Sequence, residues 1–242
     1  MRLEEYERMY RLEDRYWWFV GRRAVVRRLL EGRVAPGSTI LDVGCGTGAT
    51  MKTLEEIGSP LGADSAHRAL VFCRQRGVGP LLRSDAQSLA LACESVDAVV
   101  ALDLFEHLAH DVEAMRECWR VCRPGGVLVL TVPAYRLLWS EHDEALHHLR
   151  RYRLREVREK LTAAGFQDAH LSYAIVAALL PVAAFRTLQR VLKREEGPKT
   201  SLIELPAFLN SALIWNLRAE AWLMKWLRFP FGVSVVGVAV KP

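Results

Sequence analysis

From Ser38 to Ala174 the chain alternates short apolar runs with stretches in which apolar positions recur every three or four residues. Short runs bounded by turn residues suit strands buried on both faces, and the longer spacing suits helices that lay one face on a core. The pattern predicts strands over residues 39–43, 61–64, 81–84, 98–102, 127–132 and 169–173, with a last one over 233–240. Between them the helical spacing shows at Met115, Cys118, Trp119 and Cys122, after which Arg123-Pro124-Gly125-Gly126 stops the helix and turns the chain into the next strand. Such alternation builds βαβ units. The expected fold is α/β, a Rossmann-like seven-stranded, mostly parallel sheet with flanking helices.

Two regions leave this rhythm. An amino-terminal helix runs through about Leu30, and residues 174–231 form a helical insertion before the last strand. The chain therefore reads as one domain over 1–242: a cap helix (1–35), a core (36–173), the insertion (174–231) and a final strand (232–242). The insertion holds two apolar helical segments around a polar hinge at residues 193–200. An insertion this long on a compact domain serves as a lid, a substrate wall or a partner surface.

At 242 residues and 51% hydrophobic, the chain can bury a stable core without disulfides or structural metal. Its 5 cysteines (45, 73, 93, 118 and 122) contain no Cys-x-x-Cys pair, so no zinc or disulfide framework is read. A reducing cytoplasm is expected, and no metal. The amino terminus is charged where a signal peptide would need an apolar stretch, and the longest apolar run, residues 174–185, is broken by Pro181 and falls short of the ~20 residues a membrane span needs. The net charge of +5 is too small to argue for nucleic acid.

The chemistry begins at Leu41-Asp42-Val43-Gly44-Cys45-Gly46-Thr47-Gly48, which leaves a predicted strand and opens a helix. Glycines there let the backbone turn tightly and approach a ligand, with Cys45 a small residue that fits the loop. Gly44, Gly46 and Ala49 also satisfy the dinucleotide pattern, so a nicotinamide-dependent oxidoreductase stands as one reading. Asp42 weighs against it: placed near the ligand, an acid there repels a pyrophosphate and attracts an ammonium or sulfonium.

The Gly-x-Gly-x-Gly form with its preceding acid resembles motif I of the class I S-adenosylmethionine-dependent methyltransferases, in the branch that includes the ubiquinone-biosynthesis type. The resemblance covers roughly Thr39 to Phe166 and implies an antiparallel last strand. It implies that Asp64, with Ser65, grips the ribose, that Asp85-Ala86 meets the adenine, and that the segment from Ala101 to Leu108, with Leu102 and Asp103, lines the methionine end of the cofactor. It also implies that the amino-terminal helix covers the cofactor, with Trp18 and Arg22 among its contacts and Arg22 placed for the methionine carboxylate.

Methyl transfer needs a general base only if the acceptor must lose a proton. Candidates are His107, His142, His147 and His148. The stretches Trp139-Ser140-Glu141-His142-Asp143 and His148-Leu149-Arg150-Arg151-Tyr152 resemble an active-site loop of the same branch, which implies substrate contacts for Trp139, Arg151 and Tyr152. In the insertion, Leu205, Phe208, Leu209, Ala212, Leu213, Trp215, Trp222, Leu223 and Trp226 form one broad apolar stripe, while the first segment turns basic at Arg186, Arg190, Lys193 and Arg194. Two readings stand: a helical hairpin packed over the sheet, or a greasy acceptor pocket or membrane-resting face for an isoprenoid, lipid or aromatic substrate. A non-catalytic scaffold that binds a partner enzyme is the alternative outside enzymes. An RNA methyltransferase, suggested by the arginines of residues 150–158, lacks an Asn-Pro-Pro-Tyr-type motif after the fourth strand. The sequence sets no oligomeric state.

Overall fold

The computed structural model describes residues 3–191 and 205–242. The apolar runs become β1 (Thr39–Val43), β2 (Ser59–Asp64), β3 (Leu81–Arg83), β4 (Val96–Leu102), β5 (Cys122–Pro133), β6 (Gln167–Ala174) and β7 (Ser234–Val240). They pair in one seven-stranded sheet in the order β3-β2-β1-β4-β5-β7-β6. The pairs β1–β2, β1–β4, β2–β3 and β4–β5 are parallel, and β7 runs antiparallel to both its neighbours. This is the expected architecture, including the reversed last strand.

Neighbouring residues on the central strands point to opposite cores, which is why those strands read as unbroken apolar runs. Ile40, Ala98 and Val100 pack with Val26, Leu30 and Leu54 on one face. Leu41, Val43 and Val99 pack with Met115, Cys118, Leu161 and Phe166 on the other. The helices on the two faces are thus α2 (Trp17–Leu30) and α3 (Ala49–Glu55) against α5 (Asp111–Val121) and α7 (Leu154–Ala163), with α4 (His67–Arg76) crossing between β2 and β3 and the short α6 (Glu141–Ala145) after β5.

The amino terminus corrects one expectation. Instead of a single helix through Leu30 there are two, α1 (Leu3–Leu12) and α2, separated at residues 13–16, with Tyr16 extended at ψ 130°. The break is held from a distance. Asn210 accepts the Trp17 N–H at 2.9 Å and donates to the Arg15 carbonyl at 2.9 Å, satisfying backbone groups that the interruption frees.

Asn210 lies on α9 (Ala207–Leu223), which follows α8 (Leu179–Val191) in the insertion. The polar hinge at 193–200, with Lys193 and Arg194, lies outside the described residues, as does the side chain of Arg190. The structure shows which side packs: α9 buries Leu217, Glu220 and Ala221, while Phe208, Trp215 and Trp222 of the apolar stripe are exposed and Trp226 beyond the helix is exposed too. Gly21 decides which face packs. A Cβ there would fall 2.1 Å from Leu217, so only glycine lets α9 seat against α2. Glu220 finishes the anchor by accepting the Ile175 and Val176 N–H groups where the chain leaves β6.

Candidate active site

Ligands of open α/β sheets bind beyond the carboxyl ends of the strands. The predicted cofactor residues gather at that edge. Gly44, Gly46 and Gly48 all have positive φ (73°, 55° and 87°), so the loop demands glycine at each. The Gly44 and Cys45 N–H groups bond the Ala63 carbonyl at 2.7 and 3.1 Å, which ties the loop to the end of β2. Asp64 closes the arrangement: one oxygen accepts the Gly46 N–H at 3.1 Å and the other the Ala66 N–H at 2.8 Å. Burial raises its carboxyl, and these two bonds hold the rise in check.

Asp42 lies beneath this loop, 2% exposed, and its Oδ2 has no hydrogen-bond partner. Burial lifts its pKa to about 7, against the pull of Arg22. A buried acid without a partner is costly unless a cation meets it. Arg22 itself bonds Asp103 at 2.5 Å, and Asp103 is fixed at φ 49° by Thr131, whose hydroxyl donates to it at 2.9 Å. The remaining predicted contacts sit at the rim. Leu102 and Ala86 are buried, Ser65 is exposed, and exposed Asp85 accepts the Gln87 N–H at 2.8 Å to close a turn. Trp18 meets Trp17 edge-on, with ring centroids 5.7 Å apart.

Helix α1 roofs the loop. Met9 reaches within 3.0 Å of where a Cβ on Gly46 would stand, and Thr47 donates to Glu13 just beyond the helix. Arg76 ties that roof down through Glu13, Asp14 and the Tyr10 carbonyl.

A second group forms where the turn Phe105–His107 meets the loop after α6. His107 and His148 stack edge to face at 4.7 Å between centroids, and His142 lies 6.3 Å from His148. Burial pushes His107 and His142 down to about 4, with His148 adding to the effect at the first and Arg186 at the second, so both rings are neutral at physiological pH. His147 is exposed, with its backbone at φ 57°. His148 Nδ1 pairs with Asp143 Oδ1 at 2.9 Å, and Arg151 grips the same carboxylate at 2.7 and 3.1 Å. Burial alone would raise Asp143, but the His148 and Arg151 contacts hold it well below the usual carboxylate range. Tyr152 donates to Asp111 at 2.8 Å. The polar ends of Arg151 and Tyr152 are thus engaged inside the protein, while both residues, with Trp139, line a cavity of about 690 Å³.

Two residues of this group escaped the sequence reading. Glu106 is fully buried and neither carboxylate oxygen has a hydrogen-bond partner. Asp143 is fully buried at the centre of the ion-pair network. The Ser140-x-x-Asp143 capping box was the available signal for Asp143, and an acid between Phe105 and His107 was the signal for Glu106.

Fold and glycine loop together define a Rossmann-like domain that binds a nucleoside-bearing cofactor at the carboxyl edge of its sheet. A methyltransferase-domain family matches residues 41–130. A protein of Mycolicibacterium smegmatis described as a probable S-adenosylmethionine-dependent methyltransferase is 31% identical over 64% of this chain and 61% of its own length. A ubiquinone biosynthesis O-methyltransferase of Sinorhizobium medicae is 29% identical over 67% of this chain and 71% of its own. The chain thus spans about three fifths of the length of the first of these relatives. In fold it is similar to a Haloferax volcanii methyltransferase solved with the Trm112 methyltransferase activator, at TM-score 0.64 and 21% identity over 99% of this chain and 94% of that one. Residues 41–130 thus match a methyltransferase-domain family, and the chain is similar to S-adenosylmethionine-dependent methyltransferases in sequence and in fold. These matches weigh against the nicotinamide oxidoreductase that the glycine pattern alone left open.

Proposed function

We propose that this chain transfers a methyl group from S-adenosylmethionine to a small-molecule acceptor, at oxygen or carbon. The observation that carries the reading is one of placement. The loop Gly44–Gly48 with Asp64, the unpartnered Asp42 and the Arg22–Asp103 pair occupy the same sheet edge as the histidine group and the cavity behind it. Asp64 suits ribose hydroxyls, Asp42 an ammonium, and Arg22 a carboxylate. When bound, the cofactor supplies an electrophilic methyl on a sulfonium. The chain's own part is to hold the acceptor in line with that methyl and exclude water, which contributes up to ~7–11 kcal/mol.

The cavity gives the acceptor a character. Trp139 and Leu149 offer apolar walls, and Arg136, Arg150, Arg153 and Lys160 leave an excess of positive charge over Glu156. An aromatic or isoprenoid acceptor with an anionic group fits that lining. Among the described residues no helix is long and apolar enough to cross a membrane. The exposed aromatic side of α9 instead suits peripheral contact with a lipid surface.

Calorimetric titration with S-adenosylhomocysteine, with NADH as the control, tests the cofactor. Micromolar binding of the first alone is expected. Asp64→Ala should weaken it by ~1–3 kcal/mol, about 5- to 150-fold, because ribose hydroxyls lose a charged acceptor. Methylation of hydroxylated aromatic acids, read by mass, then tests the reaction. Tight binding with no turnover on any acceptor would instead support a scaffold.

A further inference from the structure

We propose that Glu106, His107 and His148 form a binding site for one divalent transition-metal ion of the zinc type, placed to hold the acceptor's oxygen. The metal role rests on the methyl-transfer reading above, while the site itself does not. One ligand atom from each of the three residues lies within 4.8 Å of the others. A tetrahedral ion wants its ligands at roughly 2.0–2.2 Å, so small side-chain rotations close the group around it.

Each ligand has the surroundings that such a site needs. Glu106 is completely buried and both its oxygens are without a partner, although His107 and His148 stand beside it. A carboxylate in that position needs a cation, and no lysine or arginine bonds it. His148 has Nδ1 committed to Asp143 at 2.9 Å, which leaves Nε2 for an ion. The carboxylate behind it is locked by Arg151 and by the Ser140 N–H at 2.8 Å. His107 likewise has one ring nitrogen hydrogen-bonded to the Leu146 carbonyl, which frees the other. Metal-bound histidines are held in this way, the far nitrogen donating to a carboxylate or a backbone carbonyl.

The ligands come from separate segments, yet the backbone staples them: the Leu149 N–H bonds the Glu106 carbonyl at 2.7 Å. Two histidines and one carboxylate leave a tetrahedral ion an open position, the pattern of ions that act on a substrate rather than of structural ones. Asp103 is close enough to act on the charges of Glu106 and His107, and Leu149, bonded to the Glu106 backbone, is itself part of the cavity lining. An acceptor hydroxyl bound at the open position gives its proton to solvent and presents an oxyanion. The O–CH3 bond then forms as the S–CH3 bond breaks, and the S–C electron pair stays on sulfur as a neutral thioether.

The test is metal binding by the full chain, freed of metal with a chelator and titrated with Co2+. One Co2+ per chain is expected, with the strong visible absorption of a tetrahedral site, bleached on adding Zn2+. Glu106→Gln and His148→Ala should each weaken binding at least about 10-fold, and His147→Ala should leave it unchanged. S-adenosylhomocysteine binding, measured on the same variants, should survive and shows that they are folded. Absence of the Co2+ spectrum, or a spectrum that Glu106→Gln and His148→Ala both leave intact, overturns the site. Loss of S-adenosylhomocysteine binding by the unaltered protein while Co2+ still binds would overturn the methyl-transfer reading and leave the site standing.

Discussion

The loop region 136–160 and the helix α9 treat polarity in opposite ways. In the first, charge goes inside. Asp143 is enclosed by Arg151, His148 and the Ser140 N–H, and Asp111 by Tyr152, Lys160 and Arg150. In the second, aromatic surface goes outside: Phe208, Trp215 and Trp222 are 77%, 69% and 60% exposed. The first region commits its charges to one another, which fixes one arrangement and leaves little freedom. The second holds on by Leu217, Ala221 and Glu220 and offers the rest of its apolar surface to something else. Hydrophobicity along the chain does not tell the two apart. What decides is whether a side chain finds its partner within the fold.

The largest effect should come from breaking the enclosed pairs. Asp143→Asn leaves Arg151 buried without its counter-charge and should destabilise the protein by ~3–5 kcal/mol, read from denaturant midpoints. Replacing both partners together, Asp143→Leu with Arg151→Met, should recover most of that loss. If the single substitution costs nothing, the region does not depend on its ion pairs and the contrast with α9 fails. Next comes the anchor of α9. Leu217→Ala opens a cavity against Gly21 and should cost ~2–5 kcal/mol, whereas Phe208→Ala should stay within about 0.5. The reverse ranking would mean that α9 packs by its aromatic side.

Asp42 sharpens the comparison from a third position, as a buried carboxylate without the partners that Asp143 has. Arg22, Glu13 and Asp64 supply the charges around it, and its pKa stands at about 7 instead of 3.8. The folded protein therefore holds a proton that the unfolded chain gives up between those values. Stability should fall as pH rises through that window, by a few kcal/mol at most at ~1.4 per unit. Asp42→Asn should flatten the slope. A bound ammonium reverses the preference, so S-adenosylhomocysteine binding near pH 6 should release a proton, seen as a buffer-dependent heat.

How much of this was legible in the sequence follows from the range of each interaction. The glycine loop and the positions of the strands were readable because a few adjacent residues impose them: positive φ at Gly44, Gly46 and Gly48 permits little else. The break between α1 and α2 was not, because the group that stabilises it, Asn210, lies 193 residues from Trp17. Which face of α9 turns outward was left open for a related reason. Periodicity finds an apolar stripe, but the face that packs is chosen by Gly21, a residue on another helix. Glu106 and His148 are 42 positions apart in the chain, and only folding sets them side by side.

The smallest effect on stability should accompany the largest on association. Trp215, Trp222 and Trp226 lie on the exposed side of the cap, and Trp222 and Trp226 pack edge to face at 4.6 Å. Replacing all three by Ser removes surface that already meets water, so the denaturant midpoint should barely move, about 0.5 kcal/mol or less for each. Tryptophan belongs at the boundary between water and lipid, where its ring is buried and its N–H stays wet. The unaltered protein should therefore sediment with anionic phospholipid vesicles at low salt, and the triple variant should stay in the supernatant while still binding S-adenosylhomocysteine. If the unaltered chain stays in the supernatant as well, the aromatic side of α9 is not a membrane contact. The exposed stripe then has to be explained as a wall for the acceptor or a surface for a partner protein, and hydrogen exchange along α9 with acceptor present distinguishes those two.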